Sequence, residues 1–378
     1  MTGRTAGEAR WAEIDLGAVR HNVGQLKSAL DSGVVLAAVV KADAYGHGAV
    51  PVATAALSAG AQWLAVATVA EALELRQAGI TAPILNLGAT LESEATAAVA
   101  ADLRCSVWEP AAIEVLERAG ATAGRPVRLH LQLDTGMVRL GADPNLAVEL
   151  GQRIKASPNL ELEGLFTHMA EAEDPGTDRT AKQLSVFLAA VTRLAYEGLS
   201  VPILHAANSA AALTYPDSRL GMVRCGLPLY GYSPLPRAAG LELRPALSWK
   251  ARVLQTYDLR TGDRIGYGGT YEAASPVRTA TVSVGYADGY PRILSNRGEL
   301  LVRGCRAPVV GRISMDFLSI DVSDIEGVAV GDEVVVIGRQ GDEVITADDI
   351  AASLDTISYE VLTHIGNRVI RRSIGGDG

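Results

Sequence analysis

From residue 34 onward the chain alternates short apolar, strand-like runs with longer segments whose apolar residues recur every three or four positions. Runs of the first kind fall at 34–40, Gln62–Thr68, Pro83–Leu87, Leu103–Trp108, Val127–Leu133, Leu162–His168, Val201–Ala207 and Leu220–Gly226. The unbroken apolar run at 34–40 suits a strand covered on both faces, as in a parallel sheet. Helical spacing fills the gaps at His47–Ala59, Ala70–Ala78, Glu92–Ala100, Pro110–Ala119, Asn145–Ala156 and Thr177–Leu194, and a short helix follows Asn208. Ahead of these, Ala12–Leu16 reads as a short strand, and Asp15 as the cap of a helix reaching about Leu30. Regular βα alternation predicts right-handed crossovers, and eight units predict closure into a (β/α)8 TIM barrel. A doubly wound open sheet is the alternative; the absence of GxGxxG after the first strand counts against its nucleotide-binding version.

Between Pro234 and Pro245 the rhythm changes, with Pro and Gly accumulating. Beyond it the helical period gives way to short β-branched runs at Leu247–Tyr257, Arg278–Gly285, Glu299–Val302, Ala307–Ile313, Leu318–Val322 and Glu333–Ile337. These predict a mostly antiparallel β domain, with helices returning at Ala347–Leu354 and Ile357–Thr363. The expected division is a barrel over 10–240 and a β domain over 241–378.

Composition narrows the function. The 378 residues are 48% hydrophobic and 20% charged, as in soluble globular proteins, and the formal net charge is −9. An acidic chain without a dense Lys/Arg run offers nothing to nucleic acid or an acidic membrane, so a small molecule is the default ligand. Cys105, Cys225 and Cys305 are widely spaced and lack a CxxC pair, which indicates neither a disulfide framework nor a metal site and fits a reducing cytoplasm. No secretion-like apolar core and no membrane-length apolar run is present.

Chemistry concentrates where predicted strands end. Lys41 closes the first apolar run in VVKADAYGHG, at the barrel mouth where βα loops gather functional groups. A lysine buried there loses hydration of its charged form and becomes available for Schiff-base formation; equally, it could snorkel out of a core strand. Arg139 follows the fifth strand, where a surface ion pair is the simpler reading, and His168 ends the sixth, where a lone histidine is more often a core residue. His205, Asn208 and Ser209 follow the seventh; Arg224 and Gly226 end the eighth. Ser209 opening a helix beside Gly226 would form a phosphate cup, and a lysine for an aldehyde with a cup for a phosphate points to pyridoxal 5'-phosphate. In the β domain, IGYGGTY, GYADGYPR and GRISMDF make Tyr267, Tyr286, Met315 and Asp316 candidates, while packing explains Tyr271 and Tyr290.

Taken in order over nearly the whole length, VVKADAYGHG, DTGMVRLG, THMA, HAANSA, VRCG through LYG, GYGGTY, GYADGYPR, GRISMD and SYEVL resemble the bacterial alanine racemase family. The resemblance implies a pyridoxal-phosphate enzyme with a barrel, a β domain and homodimers whose active sites are shared between subunits. It implies that Lys41 holds the cofactor and that Tyr267, offered by a second copy, is the other base in a two-base proton transfer at an external aldimine. Tyr45, Ser209, Gly226, Leu227 and Tyr359 match phosphate-binding positions, with Asn208 beside them. Arg224 matches the arginine facing the pyridine nitrogen, His205 its support, and His168 the partner of the tyrosine. Arg139 and the Met315 backbone match contacts to substrate carboxylate and phenolate, and Tyr286 and Asp316 line substrate entry. The implied product is D-alanine for peptidoglycan.

Racemisation needs acid/base groups on opposite faces of one carbon, which a lysine and a tyrosine supply. Arginine only donates, so the ring nitrogen facing Arg224 must stay an unprotonated acceptor. That feature argues against a decarboxylase of the same architecture, which would place a carboxylate there, and the β domain argues against a pyridoxal-phosphate carrier built of the barrel alone. Two positions depart from the family pattern. Gln132 stands where many members have a carbamylated lysine, so Arg139 is expected to be held by the amide, with or without an anion. Ser314 replaces a common cysteine, with little expected consequence.

Overall fold

The structure, a computed structural model, describes residues 8–174, 176–235 and 240–376. Residues 1–7 and 236–239, which include the chain start and part of the Pro/Gly-rich change of rhythm, lie outside them. After β1 (Arg10–Asp15) come β2 (Val35–Val39), β3 (Trp63–Val66), β4 (Ile84–Asn86), β5 (Arg104–Val107), β6 (Val127–Gln132), β7 (Leu160–Phe166), β8 (Ile203–His205) and β9 (Met222–Cys225). Strands β2 to β9 are the eight apolar runs, and they pair in parallel in the order β8-β7-β6-β5-β4-β3-β2-β9. Backbone bonds from Gly221 to Leu204 and from Arg224 to Ala207, at 3.0 and 3.1 Å, bring the last strand back to β8, so the barrel nearly closes.

The helices between them follow the expected order, from Leu16–Ser28 to Ser209–Thr214. Their apolar stripes bury Leu26, Leu75, Leu116, Ile154 and Phe187, and each fully buried side chain of this size contributes about 1.5–3 kcal/mol. The barrel interior is not wholly apolar. Ser106, His130, Gln132, Thr167, His205 and Arg224 are buried at the strands, and they set the chemistry described below.

The chain divides into two units: Ala18–Ala44 with Ala49–Arg244, and residues 8–17 with Tyr45–Gly48 and 245–376. The second unit is built on a nine-stranded sheet. Within it β1 pairs antiparallel with Leu247–Leu259 and parallel with Ile370–Ile374, a strand the hydrophobic pattern does not predict. The other pairings in this sheet are antiparallel. Helices Ala347–Leu354 and Ser358–Thr363 stand where expected. Its buried Asp288 is held by Arg10 at 2.7 Å and Arg368 at 3.4 Å, which compensates a carboxylate removed from water.

Candidate active site

Lys41 stands two residues beyond β2, at the C-terminal end of the barrel strands. From there the backbone makes a single helical turn, Lys41–Gly46, wound left-handed: φ is +51 to +53° at Ala42, Asp43, Ala44 and Tyr45 and +80° at Gly46. L-residues pay about 1–2 kcal/mol each for that hand, so four in succession persist only because the surroundings fix them. The Ala44 N–H donates to Val40 O at 2.8 Å, the Ala42 N–H to Glu71 Oε1 at 2.7 Å, and Asp43 Oδ1 accepts from the Ala49 N–H at 2.7 Å. Gly46 is required here, since a Cβ on it would lie 2.5 Å from Leu362 O.

Burial lowers the Lys41 pKa, Arg139 lowers it further, and Glu71 opposes both. His168 is pushed down to about 3 by burial and by the charges of Arg224, Arg139 and Lys41, so it is neutral. Lysine, two arginines and a neutral imidazole therefore share one electrostatic neighbourhood at the barrel mouth. Three cations at one mouth call for an anionic ligand.

Arg224 on β9 is buried, and burial pulls its pKa down to about 10. Its Nη2 donates to Thr167 O at 2.8 Å and Ala206 O at 3.2 Å, its Nη1 meets His205 Nδ1 at 2.7 Å, and its guanidinium lies 5.3 Å from the Phe166 ring centre. A guanidinium has no lone pair to offer, so His205 Nδ1 must accept and the proton of that ring sits on Nε2. His205 Nε2 lies 2.8 Å from His130 Nδ1, which must then accept in turn, and His130 Nε2–H donates to Glu163 Oε2 at 3.1 Å. Arg104 Nε holds the same carboxylate oxygen at 3.3 Å. One relay, Arg224 to His205 to His130 to Glu163, thus runs through the barrel interior with every proton placed by the donor at its head. Burial keeps both histidines below their usual pKa, and His205 stacks on Phe166 at 4.6 Å between ring centres.

The sequence points to His205 and Arg224 but not to His130 or Glu163. A signal exists: VRLHLQ and LELEG alternate polar and apolar positions in strands whose outer faces helices cover, so one polar set must point inward. Gly164 completes the arrangement, since a Cβ there would lie 2.2 Å from His130 Nδ1.

At the ends of β8 and β9, Asn208 caps the helix Ser209–Thr214 through a 3.0 Å bond from the Ala211 N–H, and its amide donates to Met169 O at 3.2 Å. Ser209 Oγ accepts the Gly226 N–H at 2.9 Å, and Leu227 opens a short 3-10 turn. The cup residues are therefore together, with the Gly226 amide engaged by the serine hydroxyl. Gln132 does not reach the Arg139 guanidinium: its amide donates to Leu140 O at 3.0 Å, fixing the backbone beside Arg139, which is exposed. Gln132 Oε1 is buried without a protein partner. Arg139 is thus held through its neighbour's carbonyl and not, as the sequence reading expects, by the amide itself.

The second unit carries the remaining candidates. Tyr267 opens a turn between two left-handed glycines, Gly266 and Gly268, and is 71% exposed. It borders a groove of about 340 Å³ with Arg312, Ser314 and Phe317. Tyr286 N–H donates to Ser314 O at 3.1 Å and Ala287 N–H to Met315 O at 3.0 Å; Gly285 allows this approach, because a Cβ there would meet Met315 O at 2.4 Å. Asp316 accepts from Arg368 at 2.7 Å. The Tyr45 and Tyr359 rings lie 5.7 Å apart at 43°. Among the described residues no cluster of His, Cys, Asp and Glu is placed to hold a metal.

A parallel barrel with lysine, arginine and neutral histidine at the C-terminal ends of its strands, followed by a mostly antiparallel β unit, has the architecture of a barrel enzyme with its chemistry at the strand ends. The family model for the alanine racemase N-terminal domain matches residues 14–234, and that for the alanine racemase C-terminal domain matches 246–373. The chain is 48% identical over 362 residues to the alanine racemase of Symbiobacterium thermophilum, covering 96% of each. Among solved structures it resembles the alanine racemase from D-cycloserine-producing Streptomyces lavendulae, with a TM-score of 0.93 at 39% identity and 98% of each chain covered. The alanine racemase of Bacillus anthracis with bound L-Ala-P gives 0.92 at 38% identity, with 98% of this chain and 96% of that one covered. The chain belongs to the alanine racemase family, and it is an isomerase.

Proposed function

We propose that the chain interconverts L- and D-alanine with pyridoxal 5'-phosphate held on Lys41, and that two copies share their active sites. The observation that carries this reading is the set of partners around Lys41: a depressed lysine amine, two arginines and a neutral histidine at one barrel mouth. These residues fit the cofactor. Lys41 suits its aldehyde; Ser209, whose hydroxyl the Gly226 N–H holds in place, the Leu227 amide, Asn208, Tyr45 and Tyr359 suit its phosphate; and donor-only Arg224 suits its pyridine nitrogen. When bound, pyridoxal phosphate lowers the acidity barrier of the amino acid's α-proton.

The chain's own residues do the rest. Lys41, its amine pKa lowered by burial and by Arg139, holds or takes a proton on one face, and Tyr267 does so on the other. Arg139 binds the substrate carboxylate, its backbone steadied through Leu140 by Gln132. The relay behind Arg224 keeps its guanidinium in one orientation, and His168 lies beside it. Tyr267, Met315 and Phe317 are exposed, 71%, 53% and 43%, which is the surface a second copy would cover to bring its tyrosine to this site. Tyr286 and Asp316 line the substrate's entry, and Tyr286 with Tyr359 narrows the pocket to a small side chain. A cytoplasmic supply of D-alanine for peptidoglycan follows from that activity; no helix among the described residues is long and apolar enough to cross a membrane.

The test is to mix the purified protein with pyridoxal phosphate and L-alanine in deuterium oxide and follow optical rotation and α-proton exchange together, with and without borohydride. Both signals should decay in parallel, and borohydride should stop them while fixing the cofactor mass on Lys41. Exchange without loss of rotation, or label on another lysine, overturns the reading.

A further inference from the structure

Glu71, in the first turn of the helix Val69–Gln77, makes more bonds than a helix start needs. Its Oε2 accepts the Ala67 and Thr68 N–H groups at 2.7 and 3.2 Å, and Thr68 Oγ1 accepts the Glu71 N–H at 3.2 Å, which completes a capping box. Its Oε1 is turned the other way and accepts the Ala42 N–H at 2.7 Å. Glu94 and Asp349 hold the same position in their own helices, and among the described residues their carboxylates accept from their own helix starts. The cap therefore accounts for one oxygen of Glu71 and leaves the other to the turn.

Ala42 directly follows Lys41 and is the first of four consecutive residues at positive φ, none of them glycine. On the preceding side the peptide is fixed by the Val40 N–H donating to Ala65 O at 2.9 Å. The peptide that joins Lys41 to Ala42 is held by Glu71. We propose that Glu71 is a positioning residue for Lys41: by holding the Ala42 N–H it fastens the left-handed turn to the β3–helix junction and so aims the lysine amine. The function follows from the conformation, because alanine, aspartate and tyrosine relax toward the right-handed basin when nothing holds them, and a relaxed turn carries the Lys41 side chain away with it. The Glu71 charge also acts on Lys41, opposite in sign to that of Arg139.

The proposal rests on the reading that Lys41 holds the cofactor, and the experiment separates the two. Glu71→Ala and Glu71→Gln are compared with Thr68→Ala, which weakens the same helix cap but leaves the Glu71–Ala42 bond. Two rates are measured: hydrogen exchange at the Ala42 amide, and borohydride-fixed attachment of added pyridoxal phosphate to Lys41 by peptide mass spectrometry. Glu71→Ala should speed the first and slow the second by about tenfold or more, with kcat falling and KM for alanine within about twofold. Glu71→Gln, which keeps one accepting oxygen, should fall between, and Thr68→Ala should leave both rates within about twofold of the parent.

Equal slowing by Thr68→Ala and Glu71→Ala makes Glu71 a helix cap only and overturns the proposal, as does an Ala42 amide that stays protected in Glu71→Ala. If Glu71→Ala does not fold, Glu71→Gln against Thr68→Ala decides the same question. If the parent fixes no cofactor on Lys41, the functional reading fails by itself, and exchange at Ala42 still decides whether Glu71 anchors the turn.

Discussion

Gly164→Ala tests the relay behind Arg224 without touching any group that carries a charge or a proton. The new methyl would stand 2.2 Å from His130 Nδ1, the atom that accepts from His205, so the imidazole must move. Overpacking a filled interior costs about 1–3 kcal/mol. Displacing His130 also strips the His205 Nε2–H of its acceptor, and a buried donor left unmade costs about 1–3 kcal/mol more. A loss of about 2–6 kcal/mol is expected, read as the opening free energy of the Ile203–His205 amides by hydrogen exchange, which reports the barrel strand itself.

The double-mutant cycle gives the sharper reading. In a His130→Ala background the ring is gone, the 164 methyl enters space the imidazole left, and Gly164→Ala should cost less than about 1 kcal/mol. The coupling between the two positions is therefore about 1–6 kcal/mol. Nitrogen-15 spectra of the histidines follow the protons directly: in the parent both His130 and His205 should carry hydrogen on Nε2 and a bare Nδ1. A Gly164→Ala cost that is the same in both backgrounds, or a His205 protonated at Nδ1, refutes the relay and the donor argument that orders it.

Lowering pH should destabilise the barrel. His168 is held near 3 in the fold against an ordinary 6.5, so the unfolded chain takes up the proton first; stability lost between pH 7.5 and 5.5 is about 1.4 kcal/mol for this group, and His205, also held low, adds in the same direction. Thermal unfolding across that range should fall monotonically with acid, and His168→Asn should flatten the dependence. Burial raises the Cys105 and Cys225 thiols to about 11 and about 12, whereas Cys305 is exposed. Iodoacetamide at pH 8 should therefore label Cys305 alone in the folded protein and all three thiols after denaturation. Tyr267→Phe should lower kcat by about 10²-fold or more while leaving borohydride-fixed cofactor on Lys41 unchanged, because an exposed phenol on a surface turn holds no part of the barrel.

The hydrophobic pattern locates all eight barrel strands because each is a short, largely apolar run set between helical periods, and a pattern of that kind survives in any single segment. Long-range pairing leaves no such mark. Ala12–Leu16 reads as a strand and the observed one is Arg10–Asp15, but nothing local says that its neighbours are Leu247–Leu259 and Ile370–Ile374, and IRRSI, largely exposed, has no apolar period to announce it. The candidate residues that lie at strand ends are legible for the reason the strands are, since counting eight runs also fixes which loops meet at the mouth.

What stays hidden is the layer behind those residues, and it is hidden because its determinants are relational. Ala42, Asp43, Ala44 and Tyr45 have no intrinsic reason to turn left-handed; a carboxylate about thirty residues away, on Glu71, supplies one of the bonds that fix them. His130 is an ordinary strand residue until Gly164 on the adjacent strand clears its ring and Arg224, across the barrel, dictates which of its nitrogens bears hydrogen. Each case joins a residue at a strand end to one that the sequence alone assigns to packing, through one hydrogen bond from Ala42 to Glu71 in the first and two, Arg224 to His205 and His205 to His130, in the second, with the donor inventory setting their direction. A substitution at Glu71, Gly164 or His130 would look conservative or peripheral on the sequence, yet in the fold it acts on Lys41 or Arg224 within one or two bonds.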